Sequence, residues 1–144
     1  MKDAEMWRNV ASEIVTKGRL DLIDEYFAQN YVDHEPPPPG VTADREGVRT
    51  LFASMKEAFP DLKAEVLHQS QDGNTHYGHI RMTGTMKGDF MGMPATNKKA
   101  SWEEMHIGVI RDGKILEHWG VQDQLGMLQQ LGFAPPPGQA GSNR

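Results

Sequence analysis

Up to Pro60, hydrophobic residues recur at spacings of one, three and four, which is the pattern of amphipathic helices. Gly18 follows the first stripe and suits a helix C-terminal cap, Asp21 can cap a second, shorter helix, and a third helix is predicted over 44–59. Only a tight link separates the first two helices, so we expect them to form an α-hairpin. The buried stripes are predicted to be Met6, Trp7, Val10, Ala11, Ile14 and Val15, then Leu22, Ile23, Tyr26 and Phe27, then Val48, Leu51, Phe52, Met55 and Phe59.

Beyond Pro60 the pattern changes to the alternation that is typical of strands. Four strands are predicted, over 62–66, 75–86, 98–110 and 115–121, followed by a short helix over 124–131 that ends at Gly132. Helices that precede an antiparallel meander indicate an α+β domain, in which the helices cover one face of a curved sheet and leave a pocket between the layers. We assign a single domain to residues 1–134 and expect 135–144, which is rich in proline and glycine, to be a flexible tail.

The last predicted hairpin carries the most information, because a slip of one residue in its register swaps the faces of one strand against the other. A two-residue turn at Asp112-Gly113 would place His106 opposite Trp119 and would mix both faces. A three-residue loop with a left-handed Gly113 would place His106 opposite His118. We favour the longer loop because it separates an apolar face from a titratable face. The apolar face would hold Met105, Ile107, Val109, Ile115, Trp119 and Val121, and the titratable face would hold Trp102, Glu104, His106, Gly108, Leu116, His118 and Gly120.

The titratable face is the candidate site. A histidine such as His106 can transfer a proton near neutral pH, and Glu104 or His118 beside it can orient it or change its pKa. Trp102 could bind a flat ligand and exclude water. Exposed strands also carry glutamate and histidine, so a solvated face without a function is the alternative at this stage.

Two further segments are expected to contribute to the pocket. Tyr31 and His34 stand beside a rigid run of prolines, 36–39, and are predicted at the pocket rim, although His34 could instead bond its own backbone. Met91 lies in a loop over 87–97 with other methionines, which pack as plastic core or form an adaptable apolar lid.

Composition and motifs narrow the classes of function. The net charge of −5, from 15 basic and 20 acidic residues without a basic run, argues against nucleic acid and anionic membrane as partners. The chain has no cysteine, and His76 and His79 stand three apart on one strand, on opposite faces, so no metal is expected. No glycine-rich nucleotide motif indicates an organic cofactor. The polar N-terminal residues and the lack of a long apolar run favour a cytoplasmic protein.

Several short segments carry a likeness to a known family. They are DGKI at 112–115, EHWG at 117–120, DQLG at 123–126, QQLG at 129–132, LIDEY at 22–26, YVDH at 31–34, AFPDL at 58–62 and GMPAT at 92–96. Together they resemble the SnoaL-like polyketide cyclase and ester cyclase family, within the nuclear transport factor 2-like superfamily. The likeness extends over nearly the whole chain and is most specific in the last hairpin and the sequence that follows it.

The resemblance implies a cone-shaped fold with a deep pocket and self-association through the sheet. It also implies an intramolecular aldol condensation on an aromatic polyketide ester, without metal or organic cofactor. The family's histidine falls on His106, whereas its catalytic aspartate, on the last strand, falls on Gly120. Glycine cannot take a proton, so Glu104, His118 or Asp123 would have to replace the aspartate, although Asp123 is better placed to cap the last helix.

Two functions follow from these observations. The first is cofactor-independent acid/base chemistry, of a cyclase, isomerase or hydrolase type, on a small apolar, cyclic or aromatic ligand, with His106, Glu104 and His118 as catalytic residues. Trp102, His34, Tyr31, Met91 and Gly120 would contact the ligand. The second is a non-catalytic carrier with the same pocket, which the glycine at 120 favours. In either case the apolar outer sheet face predicts a homodimer.

Overall fold

The computed structural model describes residues 2–135 and 138, and the predicted tail over 135–144 lies almost entirely outside them. Helix α1 (Asp3–Asn9) continues as a π-helical segment (Val10–Thr16), and a 3₁₀ turn (Leu20–Leu22) leads into a short α2 (Ile23–Tyr26). The later elements are β1 (Phe27–Asp33), α3 (Arg45–Ala58), β2 (Lys63–Asp72), β3 (Thr75–Thr85), β4 (Lys99–Arg111), β5 (Lys114–Gln122) and α4 (Gln124–Leu131).

The strands form one curved sheet of five strands in the order β1-β5-β4-β3-β2. The prediction of an α+β domain is confirmed, but the count of four strands was one too low, because β1 pairs in parallel with β5 at the edge of the meander. The predicted second helix is only two short turns, and Phe27, expected within it, begins β1. The sequence of β1 lacks a clear alternation, since Gln29 and Asn30 are adjacent and exposed and its register is irregular.

The helices cover one face of the sheet, and the predicted stripes supply the core. All six residues of the first stripe are buried, as are Ile23, Tyr26 and Phe27. Asp44 caps α3 by accepting a hydrogen bond from the Gly47 amide, and Asp123 caps α4 by accepting one from the Gly126 amide. Within the described residues, no helix is long and apolar enough to cross a membrane.

The hairpin between β4 and β5 differs from both registers considered. Arg111 pairs with Lys114, so the loop has the two residues Asp112 and Gly113, both with positive φ (50° and 76°). An extra residue, Leu116, then bulges from β5, and His106 comes to lie opposite Gly120 rather than Trp119 or His118.

The predicted sorting of faces nevertheless holds for most of the hairpin. The bulge moves the register by a further residue, which restores the parity of the three-residue loop. Trp102, Glu104, His106 and His118 face the helices, and Met105, Trp119 and Val121 are exposed. The prediction fails at Ile115, which was expected on the outer face and is fully buried, because it precedes the bulge and pairs with the buried Ile110.

Candidate active site

A cavity of about 480 Å³ lies between the sheet and the helices, within the size range of small-molecule sites. Its floor comes from inner-face residues of β3 and β4, and its wall from the hydrophobic stripe of α3. Prolines 36–38 form part of its side, and Met91 in the loop before β4 borders it. The apolar lining includes Phe52, Met55, Phe59, Met82, Phe90 and Trp102. Most of the cavity wall is therefore apolar, with several aromatic rings.

Two histidines face each other at the polar end of this cavity. His106 Nδ1 lies 2.7 Å from His118 Nε2, and the rings stack with centroids 4.9 Å apart. The other ring nitrogen of each histidine meets a carboxylate, at 2.8 Å from His106 Nε2 to Glu104 Oε1 and at 2.9 Å from His118 Nδ1 to Asp33 Oδ1. The neighbouring strands β4 and β5 and the end of β1 thus place four titratable groups in one hydrogen-bonded chain.

This chain of hydrogen bonds fixes the number of protons on the two rings. An ionised carboxylate can only accept, so each histidine donates its outer N–H to its carboxylate. The two inner nitrogens would then oppose each other with bare lone pairs at 2.7 Å, unless a third proton lies between them. With both carboxylates ionised, this geometry calls for one proton shared between the two rings, and with it one positive charge.

The electrostatics of the cluster agree with this assignment. Burial lowers the pKa of His106, but the hydrogen bond and charge of Glu104 outweigh it, so the pKa of His106 is raised above its ordinary value. Burial opposes the ionisation of Asp33, yet hydrogen bonds from His118 and Tyr31 hold the pKa of Asp33 below its usual range. Burial, with the charge of Asp33, raises the pKa of Tyr31, whose hydroxyl donates to Asp33 at 2.9 Å. Tyr31 is thus a fixed donor that orients Asp33.

A third carboxylate, Glu35, reaches the same point from the segment after β1. A Cβ built on Gly120 would collide with Glu35 Oε1, and it would lie 2.9 Å from His106 Nδ1 and 3.1 Å from His118 Cε1. Gln122 donates to the other oxygen of Glu35 at 3.4 Å. Gly120 therefore leaves the space that the Glu35 carboxylate occupies, beside both histidines.

The structure brings most of the predicted residues together. His106, Glu104, His118, Trp102, Tyr31 and Met91 all line the cavity, and Trp102 Nε1 donates to Glu104 Oε2 at 2.8 Å. Gly120 has no side chain, and its Cα lies next to the cluster. Asp123 caps α4, as predicted.

His34 does not lie where it was predicted. It is absent from the cavity lining and stacks on Trp119, on the outer face of the sheet, with ring centroids 4.4 Å apart. Its Nε2 pairs with Glu117 at 3.0 Å. Successive side chains point to opposite sides of an extended segment. Asp33 and Glu35 point into the cavity, and His34 between them therefore points away from it.

Asp33 and Glu35 are the site residues that the sequence analysis missed. No strand was predicted for their segment, and without β1 nothing placed it beside β5. A signal existed in the pattern, because Tyr31, Asp33 and Glu35 stand two apart, with His34 between the last two.

Comparisons with known proteins agree with this architecture. The family model described as SnoaL-like polyketide cyclase matches residues 5–131. The nogalonic acid methyl ester cyclase of Streptomyces nogalater is 28% identical over 116 residues, covering 80% of this chain and 87% of the relative. The aklanonic acid methyl ester cyclase DnrD of Streptomyces peucetius is 29% identical over 125 residues, covering 83% and 84%.

Solved structures share the fold. IdmH from Streptomyces antibioticus, a proposed polyketide cyclase, is 30% identical with a TM-score of 0.79, and the match covers 92% of this chain and 99% of IdmH. TsrD from Streptomyces laurentii is 23% identical with a TM-score of 0.82, over 93% and 99% of the two chains. Because the family model matches most of its length, the chain belongs to the SnoaL-like polyketide cyclase family.

Proposed function

We propose that the protein closes a ring in an aromatic polyketide ester by acid/base catalysis, with Glu35 in place of the family's aspartate. The observation that carries the proposal is the position of Glu35, whose carboxylate fills the space beside Gly120 and faces the cavity. One carboxylate oxygen of Glu35 and one ring nitrogen each of His106 and His118 lie within 4.8 Å of one another. A base and an acid thus converge at one point of an apolar cavity.

The proposed reaction begins with the transfer of a proton from carbon to Glu35. The proton comes from a carbon next to a carbonyl group, and the enolate that forms attacks a second carbonyl carbon of the same molecule. As the new carbon–carbon bond forms, the oxygen of that second carbonyl takes the proton shared by His106 and His118. Glu35 then returns its proton to the histidine pair, so the cluster ends the cycle as it began.

The surrounding residues support each role. Glu104 and Asp33 hold the two rings in position and stabilise their shared positive charge, as the carboxylate of a catalytic triad does for its histidine. Among the described residues that line the cavity there is no lysine or arginine, so the histidine pair is the cationic group available to a developing oxyanion.

Two curated relatives are named for the methyl esters of nogalonic and aklanonic acid, and these esters are the first substrates to test. Ring closure leaves the mass unchanged, so we expect a chromatographically new product of equal mass. When the enolate takes a proton back before the ring closes, that proton comes from solvent, so substrate recovered from deuterated water should carry deuterium at the carbon that loses its proton. An enzyme that gives neither product nor exchange with these esters and related aromatic polyketide esters would contradict the proposal.

Glu35→Gln tests the assigned base. The amide keeps the size of the side chain but cannot accept the proton, so we expect kcat to fall by about 10²–10⁴-fold. Glu103→Gln is the matched control, because Glu103 is an exposed carboxylate of β4 that pairs with His79 away from the cavity. Its turnover should equal that of the wild type.

A relocation of the carboxylate separates catalysis from general damage. Glu35→Ala removes the base, and Gly120→Asp in the same chain puts a carboxylate into the space that is freed. We expect the double variant to recover at least part of the turnover that Glu35→Ala loses. If Glu35→Gln retained full turnover, Glu35 would be excluded as the base whatever the double variant did.

The alternative function, a non-catalytic carrier, rested on the glycine at 120. Glu35 weakens that argument, because its carboxylate, from another segment of the chain, occupies the space beside Gly120. The same deuterium-exchange assay distinguishes the two functions, since a carrier would bind the ester without exchanging its protons.

A further inference from the structure

The cluster at the polar end of the cavity also has the composition of a metal-binding site. Two imidazole nitrogens and one carboxylate oxygen, from His106, His118 and Glu35, converge within 4.8 Å, and the cavity lies open on the remaining side. Two histidines and a carboxylate with open positions are a ligand set that first-row divalent metals prefer. Their three segments are far apart in the sequence, so no spacing motif could have indicated this set.

The surroundings of the histidines give a second, independent indication. A histidine that binds a metal usually donates its other N–H to a carboxylate, which orients the ring and makes the free nitrogen a stronger ligand. Both rings have this arrangement, His106 with Glu104 and His118 with Asp33. Each carboxylate is itself held, by Trp102 Nε1 at 2.8 Å and by the Tyr31 hydroxyl at 2.9 Å. The inner nitrogens are thus fixed towards a common point.

Distance and charge are also compatible with an ion at this point. Nitrogens at about 2.0–2.1 Å from one zinc ion lie about 3.0–3.4 Å apart. The inner nitrogens are 2.7 Å apart, so a small rotation of either ring opens the necessary gap. The single positive charge of the histidine pair offsets only one of the three carboxylate charges of Asp33, Glu35 and Glu104, so the site keeps a negative charge that a divalent ion can offset.

We propose that His106, His118 and Glu35 bind a divalent metal ion of the zinc class in place of the shared proton. Binding releases that one proton, and it leaves at least one coordination position open towards the cavity. Calcium and magnesium are not expected to bind, because they prefer sites made of oxygen ligands alone. The ion would occupy the base and displace the proton that the proposed ring closure uses, so the metal-bound protein is expected to be inactive in that reaction. Metal binding is measured without any substrate, so each of the two proposals is tested separately.

The test is a titration of the metal-free full-length protein with zinc chloride by calorimetry and with cobalt chloride by visible absorption. We expect one ion per chain with a dissociation constant of about 1 µM or lower, and a cobalt spectrum with nitrogen ligands. Magnesium chloride serves as the negative probe. If zinc and cobalt fail to saturate the protein up to about 1 mM, the proposal is wrong.

Variants locate the ion. Glu35→Gln and His118→Gln remove ligands, and Asp33→Asn removes the carboxylate behind His118, for which a loss of about 10–100-fold is expected. His79→Gln is the matched control, because His79 stacks on His68 and pairs with Glu103 on the outer face of the sheet, and could bind zinc adventitiously. Should His118→Gln not fold, Glu35→Gln decides. Binding that His79→Gln abolishes and Glu35→Gln leaves unchanged would overturn the assignment.

Discussion

At the scale of single residues, the most informative feature is that the Glu35 carboxylate lies where a side chain of residue 120 would otherwise be. The sequence showed that an expected aspartate was missing, and it limited the search for a substitute to Glu104, His118 and Asp123. The structure places a carboxylate from a different segment, that of Glu35, in the space that a side chain at 120 would need. Side chains that converge from distant segments cannot be found from spacing in one segment alone.

A second residue of interest is His76, which lies outside the site. It is 1% exposed, it stacks on Trp7 with ring centroids 4.9 Å apart, and its Nε2 accepts a hydrogen bond from Gln69 Nε2 at 3.2 Å. Its Nδ1 has no hydrogen-bond partner among the described residues. Burial lowers the pKa of His76, although the nearby charge of Asp3 opposes this effect, so the folded protein holds His76 neutral.

This predicts a dependence of stability on pH. Below about pH 6.5 the unfolded chain binds a proton at position 76 that the folded chain does not, so the free energy of unfolding falls as the pH falls. His76→Phe keeps the stacking on Trp7 but cannot titrate. We expect the wild type to lose more stability than His76→Phe between pH 7.5 and 5, measured by urea unfolding at each pH. Parallel curves for the two proteins would contradict the prediction.

At the scale of elements, the packing of α1 on the sheet depends on a close approach. A Cβ built on Gly108 of β4 would lie 3.0 Å from Trp7 Cη2 and would collide with the neighbouring ring carbon. Trp7 is buried, and the ring of His76 stacks on its indole. The indole therefore fills a groove that exists because residue 108 has no side chain.

Gly108→Ala should consequently destabilise the protein by about 1–3 kcal/mol, because the rigid ring must move out of a packed core. Gly78→Ala on the neighbouring strand β3 is the matched control, since its Cβ would meet only the His76 ring, at ordinary distances of 3.5 Å to Cε1 and 4.0 Å to Nδ1. Alanine should be neutral or slightly stabilising there, because glycine costs about 0.5–1 kcal/mol in a strand. Urea unfolding of both variants gives the comparison, and equal losses of stability would refute it.

The elements also show how far the sequence could predict the structure. The stripes of α1 and α3, the strands of the meander and both caps of α4 were predictable, because each depends on residues close together in the chain. β1 was not, since its pairing with β5 is irregular and its pattern is not alternating. The hairpin register was missed because a two-residue turn followed by a bulge at Leu116 gives the same faces as a longer loop.

At the scale of the whole molecule, the outer face of the sheet is unusually apolar for a surface. Val121 is 70% exposed, Met105 50%, Trp119 39% and Tyr77 38%, and all four lie on the same face of β3, β4 and β5. Contiguous apolar surface of this kind marks an interaction site. We propose that two copies of the chain associate through this face.

Val121→Glu should weaken this association, because a buried carboxylate without a partner opposes dimer formation. Sedimentation velocity should give a dimer for the wild type at micromolar concentration and a monomer for the variant. Leu125→Glu is the control, since Leu125 is also exposed, at 61%, but belongs to α4 rather than to the sheet. A wild-type monomer, or a dimer that Val121→Glu leaves intact, would exclude this face.

The parallel pairing of β1 with β5 has a consequence for how the protein is made. Asp33 and Glu35 are synthesised early, whereas His118 and Gly120 stand 85 residues after them. While the ribosome is still translating β2 to β4, the early carboxylates have no histidine of β5 to meet. Closing so long a loop is slow compared with forming the local helices and hairpins. We therefore expect the cluster of carboxylates and histidines to be among the last parts of the nascent chain to assemble.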